Sequence, residues 1–376
     1  MLSILVQRKN EDKFGFKSNS FHEQSQVEEE ESDHKAARFF SSSPKQTPYM
    51  VLVGDKVGES PEAENIIMSF KLFDLSKEEI IEVIHKSFPK LLYQDSRVIG
   101  SSRGWIAFMS KHDGTVHLSD VFNLGSLRVI TLPPLPDPMY DPSRVIINVS
   151  LSYPPDQEDD YVVYIKFLCS DIYLCRPNHH SQWVGCDGNE IHTTASDIVY
   201  SPRNQMLFLV IMGASFLCSF DLNMNKKYTR LHLRNIPMMP QSEWELLAMC
   251  IKIEHLVESP GGRIFVVKQY VETYDQGDKE VIFNKTKRFM VFKLNTKATD
   301  GEIAAYYTED IGDLCIFFGN NETLCLEASN NPGLKPNYIY YIGYGLGFYD
   351  MSSQKVHHFT SSMPLNWPLY LLPGLI

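Results

Sequence analysis

Residues 97–135 hold four short apolar runs separated by turn residues, and this spacing constrains the fold more than any other stretch of the chain. Val98 and Ile99 stop at Gly100. Residues 105–108 follow Gly104 and end at Lys111-His112-Asp113-Gly114. Residues 116–121 alternate apolar with polar side chains, and 127–132 run into Pro133-Pro134. Runs rich in β-branched and aromatic residues, bounded by Gly, Asp, Asn and Pro, read as antiparallel strands joined by tight turns. Their spacing is that of one four-stranded sheet, the repeating unit of a β-propeller blade.

The pattern recurs along the chain. Residues 49–53 and 66–73 precede the central set. Downstream come 145–151, 161–168, 172–175 and 182–184, then 197–200, 206–211, 215–221 and 228–233. A further set covers 249–257, 263–273, 288–294 and 303–308, and another 314–318, 323–326, 338–342 and 347–351. Residues 355–359 leave one strand over, which a closed ring uses when its first and last blades share strands. Closure protects sheet edges that would otherwise aggregate. Residues 76–87 are the best helix candidate, with Ser76 as cap, Glu78 and Glu79 in the first turn, and Ile80, Ile81 and Ile84 on one side. No strands alternate with long helices, which argues against a parallel α/β sheet; a pair of β-sandwiches is the competing all-β arrangement. At about 40–50 residues per blade, the fold class is an all-β propeller of six to eight four-stranded blades.

Residues 1–46 differ from the rest. Glu28–Glu31 and Asp33 lie among Ser, Gln, Lys and Asn, a composition that buries little apolar surface and is expected to be disordered. Residues 1–9 resemble the start of a transit peptide and 36–43 its end, against which stands the acidic run. The expected organisation is a disordered or targeting segment over 1–46, the propeller over 47–362, and a tail over 363–376. The expected address is the mitochondrion or chloroplast, with cytosol and nucleus as the alternative.

Composition limits the partners. The net charge is -11 and no basic cluster exceeds Lys285-Thr286-Lys287-Arg288. Double-stranded nucleic acid and anionic membranes are therefore excluded as expected partners, and no apolar run reaches the roughly 20 residues of a membrane-spanning helix. The seven cysteines are odd in number and sit mostly within strand patterns, so a reducing compartment is expected, with the sequons at Asn148, Asn284 and Asn321 unused.

Gly-Ser-Ser-Arg-Gly-Trp-Ile-Ala at 100–107, followed by Arg-Val-Ile-Thr-Leu-Pro-Pro-Leu at 128–135, resembles the plant F-box-associated, kelch-like β-propeller proteins, a family that includes the KIB proteins. Asp197-Ile-Val-Tyr200, the Phe220-Asp221-Leu222 step, the acidic-Gly-Asp, Phe-x-Gly segment at 310–321 and Pro-Gly-Leu-Lys-Pro-Asn-Tyr-Ile-Tyr at 332–340 are similar to the same family. The resemblance spans about 47–360. It implies a propeller that binds protein. F-box members also carry a leading helical domain that docks a ubiquitin-ligase scaffold. No such pattern is legible before Thr47, so the resemblance points to the organellar branch without an F-box, and scaffold binding is not expected.

No catalytic constellation emerges. Cys169, Cys175, His179, His180, Cys186 and His192 form the densest set of potential ligands, but without a Cys-x-x-Cys pair they read as strand-core cysteines and a polar turn rather than zinc ligands. Gly343-Tyr-Gly345-Leu-Gly347 has a strand before it but another strand after it, so it reads as a hairpin turn and not a phosphate loop. Asp156-Gln-Glu-Asp-Asp160 reads as a solvated hairpin tip, and Trp105 with Leu132-Pro133-Pro134 as blade-boundary structure. Glycine-elbow, Walker, zincin and EF-hand motifs are absent from the sequence. The expectation is a non-enzymatic protein-interaction module that uses no cofactor and no metal. Its rivals are a ubiquitin-ligase recognition subunit and a hydrolase with paired carboxylates at the propeller mouth.

Overall fold

The computed structural model describes residues 49–371 apart from 76, 121–126, 137–144, 159, 169–170, 180–181, 187–195, 212, 224, 276–281, 296–300, 320–322 and 360–368. The expected leader and disordered segment at 1–46, and the Ser76 cap, lie outside the described residues.

The described residues open with β1 (Tyr49–Glu59), β2 (Asn65–Asp74) and β3 (Glu79–Pro89), an antiparallel meander. The helix expected over 76–87 is corrected: β3 occupies that stretch and pairs with β2 from Asp74↔Glu79 to Asn65↔Pro89. Glu78 has φ +54, a left-handed turn conformation that no helix tolerates in its first turn. The stretch is rich in Ile and Val, whose branched side chains fit a pleated surface better than a helix.

After a single helical turn, α1 (Lys90–Tyr93), comes the sheet foreseen from the sequence: β4 (Ser96–Ser102), β5 (Trp105–Ser110), β6 (Thr115–Ser119) and β7 (Val129–Pro134), paired in chain order. β8 (Ile146–Leu151), β9 (Val163–Phe167), β10 (Ile172–Cys175) and β11 (Val184–Cys186) repeat that order. Next come β12 (Ile198–Ser201), β13 (Met206–Ile211), β14 (Phe216–Phe220) and β15 (Lys226–Arg234). The helix α2 (Gln241–Met249) leads from them into β16 (Ile251–Glu258), β17 (Ile264–Asp275), β18 (Ile282–Leu294) and β19 (Glu302–Thr308). β15 pairs parallel with β19, from Arg230↔Glu302 to Arg234↔Tyr306, and this joins the two meanders into one eight-stranded sheet.

The last sheet has five strands: β20 (Leu314–Phe318), β21 (Leu324–Glu327), β22 (Tyr338–Gly343), β23 (Gly345–Asp350) and β24 (Lys355–His358). The expectation of six to eight separate four-stranded blades is thus corrected to five sheets of four, four, four, eight and five strands among the described residues. The cause is the β15–β19 pair, which hydrogen-bonds two meanders that the sequence pattern counts separately.

The closing strand is also not the one expected. Residues 355–358 form the outer strand of the fifth sheet, whereas β25 (Leu369–Leu371), within the stretch expected as a tail, pairs with β1. Apolar layers fill each interface in turn. Phe70 and Met68 meet Phe108 between the first two sheets, and Trp105 meets Val149 and Val163 between the next two. Tyr164 packs with Leu209 and Phe220, and Val210 with Val266 and Phe292 inside the eight-stranded sheet. Phe289 meets Ile316 and Tyr341, and Met50 and Leu52 meet Phe317 and Tyr340, which closes the ring. Each fully buried large apolar side chain contributes about 1.5–3 kcal/mol relative to exposure.

Candidate functional site

Two places gather polar side chains from distant parts of the chain, and they differ in what they leave open. The first is buried. Asp197 just precedes β12, His255 lies on β16, Gln269 on β17 and Thr286 on β18. His255 Nδ1 hydrogen-bonds to the Asp197 carboxylate, and His255 Nε2 meets the Gln269 side-chain oxygen at 3.0 Å. Gln269 Nε2 donates to Thr286 Oγ1 at 2.7 Å, and that hydroxyl donates to the Tyr344 backbone oxygen at 2.8 Å. Thr323 donates to Asp197 at 3.4 Å, and Phe318 stacks on the imidazole with ring centroids 4.1 Å apart.

Donors and acceptors must match along this chain. The single Thr286 hydroxyl proton goes to Tyr344, so the Gln269 amide nitrogen must face Thr286 and its oxygen must face His255. Both imidazole nitrogens then donate, which makes the ring an imidazolium. Burial opposes the charged form, but the Asp197 carboxylate and the hydrogen bonds to Asp197 and Gln269 hold the His255 pKa above its ordinary value. A histidine that activates a nucleophile needs one nitrogen free to accept a proton; here both are committed to fixed partners. This cluster ties β12, β16, β17 and β18 to the β22–β23 turn.

The second place is open. β15 and β19 run parallel, so both end on the same side of the sheet. There the chain leaving β15, the turn from β19 into β20, and the loops flanking β22 and β23 enclose a cleft of about 880 Å³. Asn235, Tyr307, Glu309, Asp310, Asn337 and Ser352 are among its lining residues. Asn337, at φ +66, holds the wall together. Its Nδ2 donates to the Glu309 backbone oxygen at 3.0 Å and to Ser352 Oγ at 2.9 Å, and its Oδ1 accepts from Ile311 N at 2.9 Å. Burial pushes the Tyr307 phenol up, and its hydroxyl donates to Glu309 Oε1 at 3.1 Å.

One lip of the cleft is the connection that carries α2. Pro237 lines the cleft, and Met239, Trp244 and Leu247 turn into the core of the eight-stranded sheet. A polar relay, Glu243 to Arg288 to Gln354 to Glu309, fastens the helix to the cleft wall. The remaining apolar side chains face solvent. Met238 is fully exposed and Met249 is 79% exposed, with Ile236, Leu246 and Ile251 about half exposed. Elsewhere among the described residues exposed apolar side chains are mostly spread along the chain, which is ordinary for a protein surface; five fall within residues 236–251.

The residues singled out in the sequence are placed as follows. Trp105 is buried, its Nε1 donates to Asp156 Oδ1 at 3.2 Å, and the Arg128 guanidinium lies 5.1 Å from its ring centroid. Asp156, Gln157, Glu158 and Asp160 are exposed, and Asp160 pairs with Arg176 and with His179, both at 3.0 Å; Asp159 lies outside the described residues. The Pro133 carbonyl accepts from Trp183 Nε1 at 2.8 Å, a tie between the second and third sheets. Gly343 and Gly345 flank the turn between β22 and β23, as the hairpin reading required. Cys175 is buried and its thiol is pushed up to about 11 by burial. Cys169, His180 and His192 lie outside the described residues, and among the described ones no group of three or more His, Cys, Asp or Glu could hold a metal.

Neither cluster was legible as a site. Asp197 and His255 are 58 positions apart, and the stretch 235–240 reads as a plain Pro- and Met-containing loop. The only sequence signal was that Asp197, residues 310–321 and residues 332–340 all belong to the motifs behind the family resemblance.

Solved structures resemble this chain at low similarity. A member of the duf4221 family from Bacteroides vulgatus is 11% identical over 78% of this chain and 92% of its own, with a TM-score of 0.38. The Cps50 (Swd1) β-propeller domain of Myceliophteria thermophila is 9% identical over 85% and 87%, with a TM-score of 0.35. Both scores are too low to carry an argument. No curated protein matches the sequence significantly. The sequence profile of the KIB1-4 beta-propeller family matches residues 72–360, more than half of the chain and every strand from β3 to β24. The chain therefore belongs to the KIB1-4 beta-propeller family.

Proposed function

We propose that this chain is a non-enzymatic protein-binding propeller that docks its partner on the cleft and apolar lip between β15 and β20. The observation that carries this reading is the patch of Ile236, Met238, Leu246, Met249 and Ile251 beside an open cleft of about 880 Å³. Contiguous exposed apolar surface with a polar rim marks interaction sites on soluble proteins. Unbranched methionines adapt to the shape of what they meet. The cost of exposing Met238 and Met249 is explained if a partner covers them.

A photo-crosslinking amino acid placed at Met238, and in a second sample at Val57 in β1, tests the surface in cells. An adduct with the same protein from position 238 and none from position 57 supports the reading. Equal adducts from both positions, or none from 238, remove it. Recovery of a ubiquitin-ligase scaffold as that adduct makes the adaptor reading the correct one. We also propose residues 1–43 as an organellar leader. Residues 1–60 fused to a fluorescent reporter are expected to direct it to mitochondria or chloroplasts, and a diffuse reporter with an intact N-terminus contradicts this.

A further inference from the structure

Of the residues lining the cleft only Glu309 and Asp310 are charged, and both are acidic. Each is committed on one side. Glu309 Oε1 accepts from Tyr307 and Gln354, and Asp310 Oδ1 accepts from Gly312 N at 2.7 Å. The other carboxylate oxygen of each accepts no hydrogen bond among the described residues. Arg288 reaches the cleft at the Tyr307 side chain, and its guanidinium is already held by acceptors. Arg288 serves Glu243 and Gln354, and Lys335 lies over the rings of Tyr338 and Phe348, 5.7 and 5.3 Å from their centroids. Arg234, beside the cleft-lining Asn235, is exposed.

The cleft, about 880 Å³ and broadly open to solvent, has room for more than one ion or water. Its charge attracts cations and repels phosphates, and its lip is apolar. A ligand that satisfies both must carry a cation and an apolar group side by side, as a polypeptide does. We infer that the cleft takes the Lys or Arg side chain of an extended partner segment, whose apolar neighbour lies on Met238; this rests on the docking reading above. The carboxylates become charge-assisted hydrogen-bond acceptors, about twice as strong as neutral ones.

The test uses the full-length chain and a phage-displayed random dodecapeptide library. The best enriched peptides are synthesised and their affinities measured by fluorescence anisotropy. Peptides with Lys or Arg next to an apolar residue are expected. Their affinity should fall about tenfold in Glu309→Gln/Asp310→Asn and several-fold in Met238→Ser, and should weaken with added salt. Asp310→Asn alone keeps the oxygen that accepts from Gly312 N, so a loss there is not a folding defect. Loss in Met238→Ser with no change in either carboxylate variant, or enrichment of peptides without a basic residue that still need Met238, overturns the cation inference and leaves the docking surface standing. Binding unchanged in every variant, or no enrichment above an unrelated propeller, overturns both.

Discussion

His255 and Asp197, 58 positions apart in the chain, form a buried ion pair in which the imidazole donates from Nδ1 to the carboxylate and from Nε2 to Gln269. The pair crosses from the start of β12 to β16 and holds together the two meanders of the eight-stranded sheet. Its pKa is raised on folding. Its contribution to stability is therefore complete below the ordinary value of about 6.5 and is lost as pH rises through the raised folded value. The melting temperature of the wild type should fall more steeply above about pH 6.5 than that of His255→Gln. The variant itself should be destabilised by about 3–5 kcal/mol near pH 6, because one partner of a buried pair is left uncompensated. Parallel pH profiles for the two proteins contradict the imidazolium assignment.

Trp105 is 3% exposed and bridges two sheets through Asp156 and Val149. Trp105→Ala should cost about 3–5 kcal/mol in denaturant unfolding. Trp105→Phe keeps most of the packing and loses the indole donor, so it should cost about 1–2 kcal/mol. A loss below 1 kcal/mol for the alanine variant would show that the ring is not part of the core.

Gly347 and Gly301 separate steric need from backbone need. A Cβ on Gly347 would sit 2.0 Å from the His357 carbonyl oxygen, inside the β23–β24 ladder. At Gly301 a Cβ meets nothing within 4 Å, but φ is +79. Gly301→Ala should cost about 1 kcal/mol, while Gly347→Ala should cost more than about 3 kcal/mol or prevent folding. Chemical denaturation of both variants measures the difference, and equal costs would mean that β24 does not lie against β23 as described.

Much of the scaffold was legible because its signal is local. β10, β13 and β20 coincide with the apolar runs read from the sequence, since each is a β-branched or aromatic run stopped by turn residues. The stretch 76–87 failed because Ile80, Ile81 and Ile84 fit a helical period as well as a strand. The deciding fact, Glu78 at positive φ, is not a local preference of glutamate. The closing strand was missed because Leu369–Leu371 is three residues long and is defined only by its pairing with β1. The docking surface was invisible for a different reason. Leu247 is buried and Trp244 partly buried while Leu246 and Met249 on the same helix are exposed, and nothing in their order along the chain distinguishes the two pairs.

The central claim is that the 236–251 lip is where a partner binds. Quantitative affinity capture from cells, comparing the wild type with Met238→Ser/Leu246→Ser/Met249→Ser and with Val57→Ser on β1, tests it most directly. Because these side chains are exposed, all three proteins should melt within about 1 kcal/mol of one another. The account predicts a protein that is recovered equally by the wild type and Val57→Ser and is depleted at least about tenfold by the triple variant, as expected when apolar anchors are removed. Equal recovery by all three would contradict it.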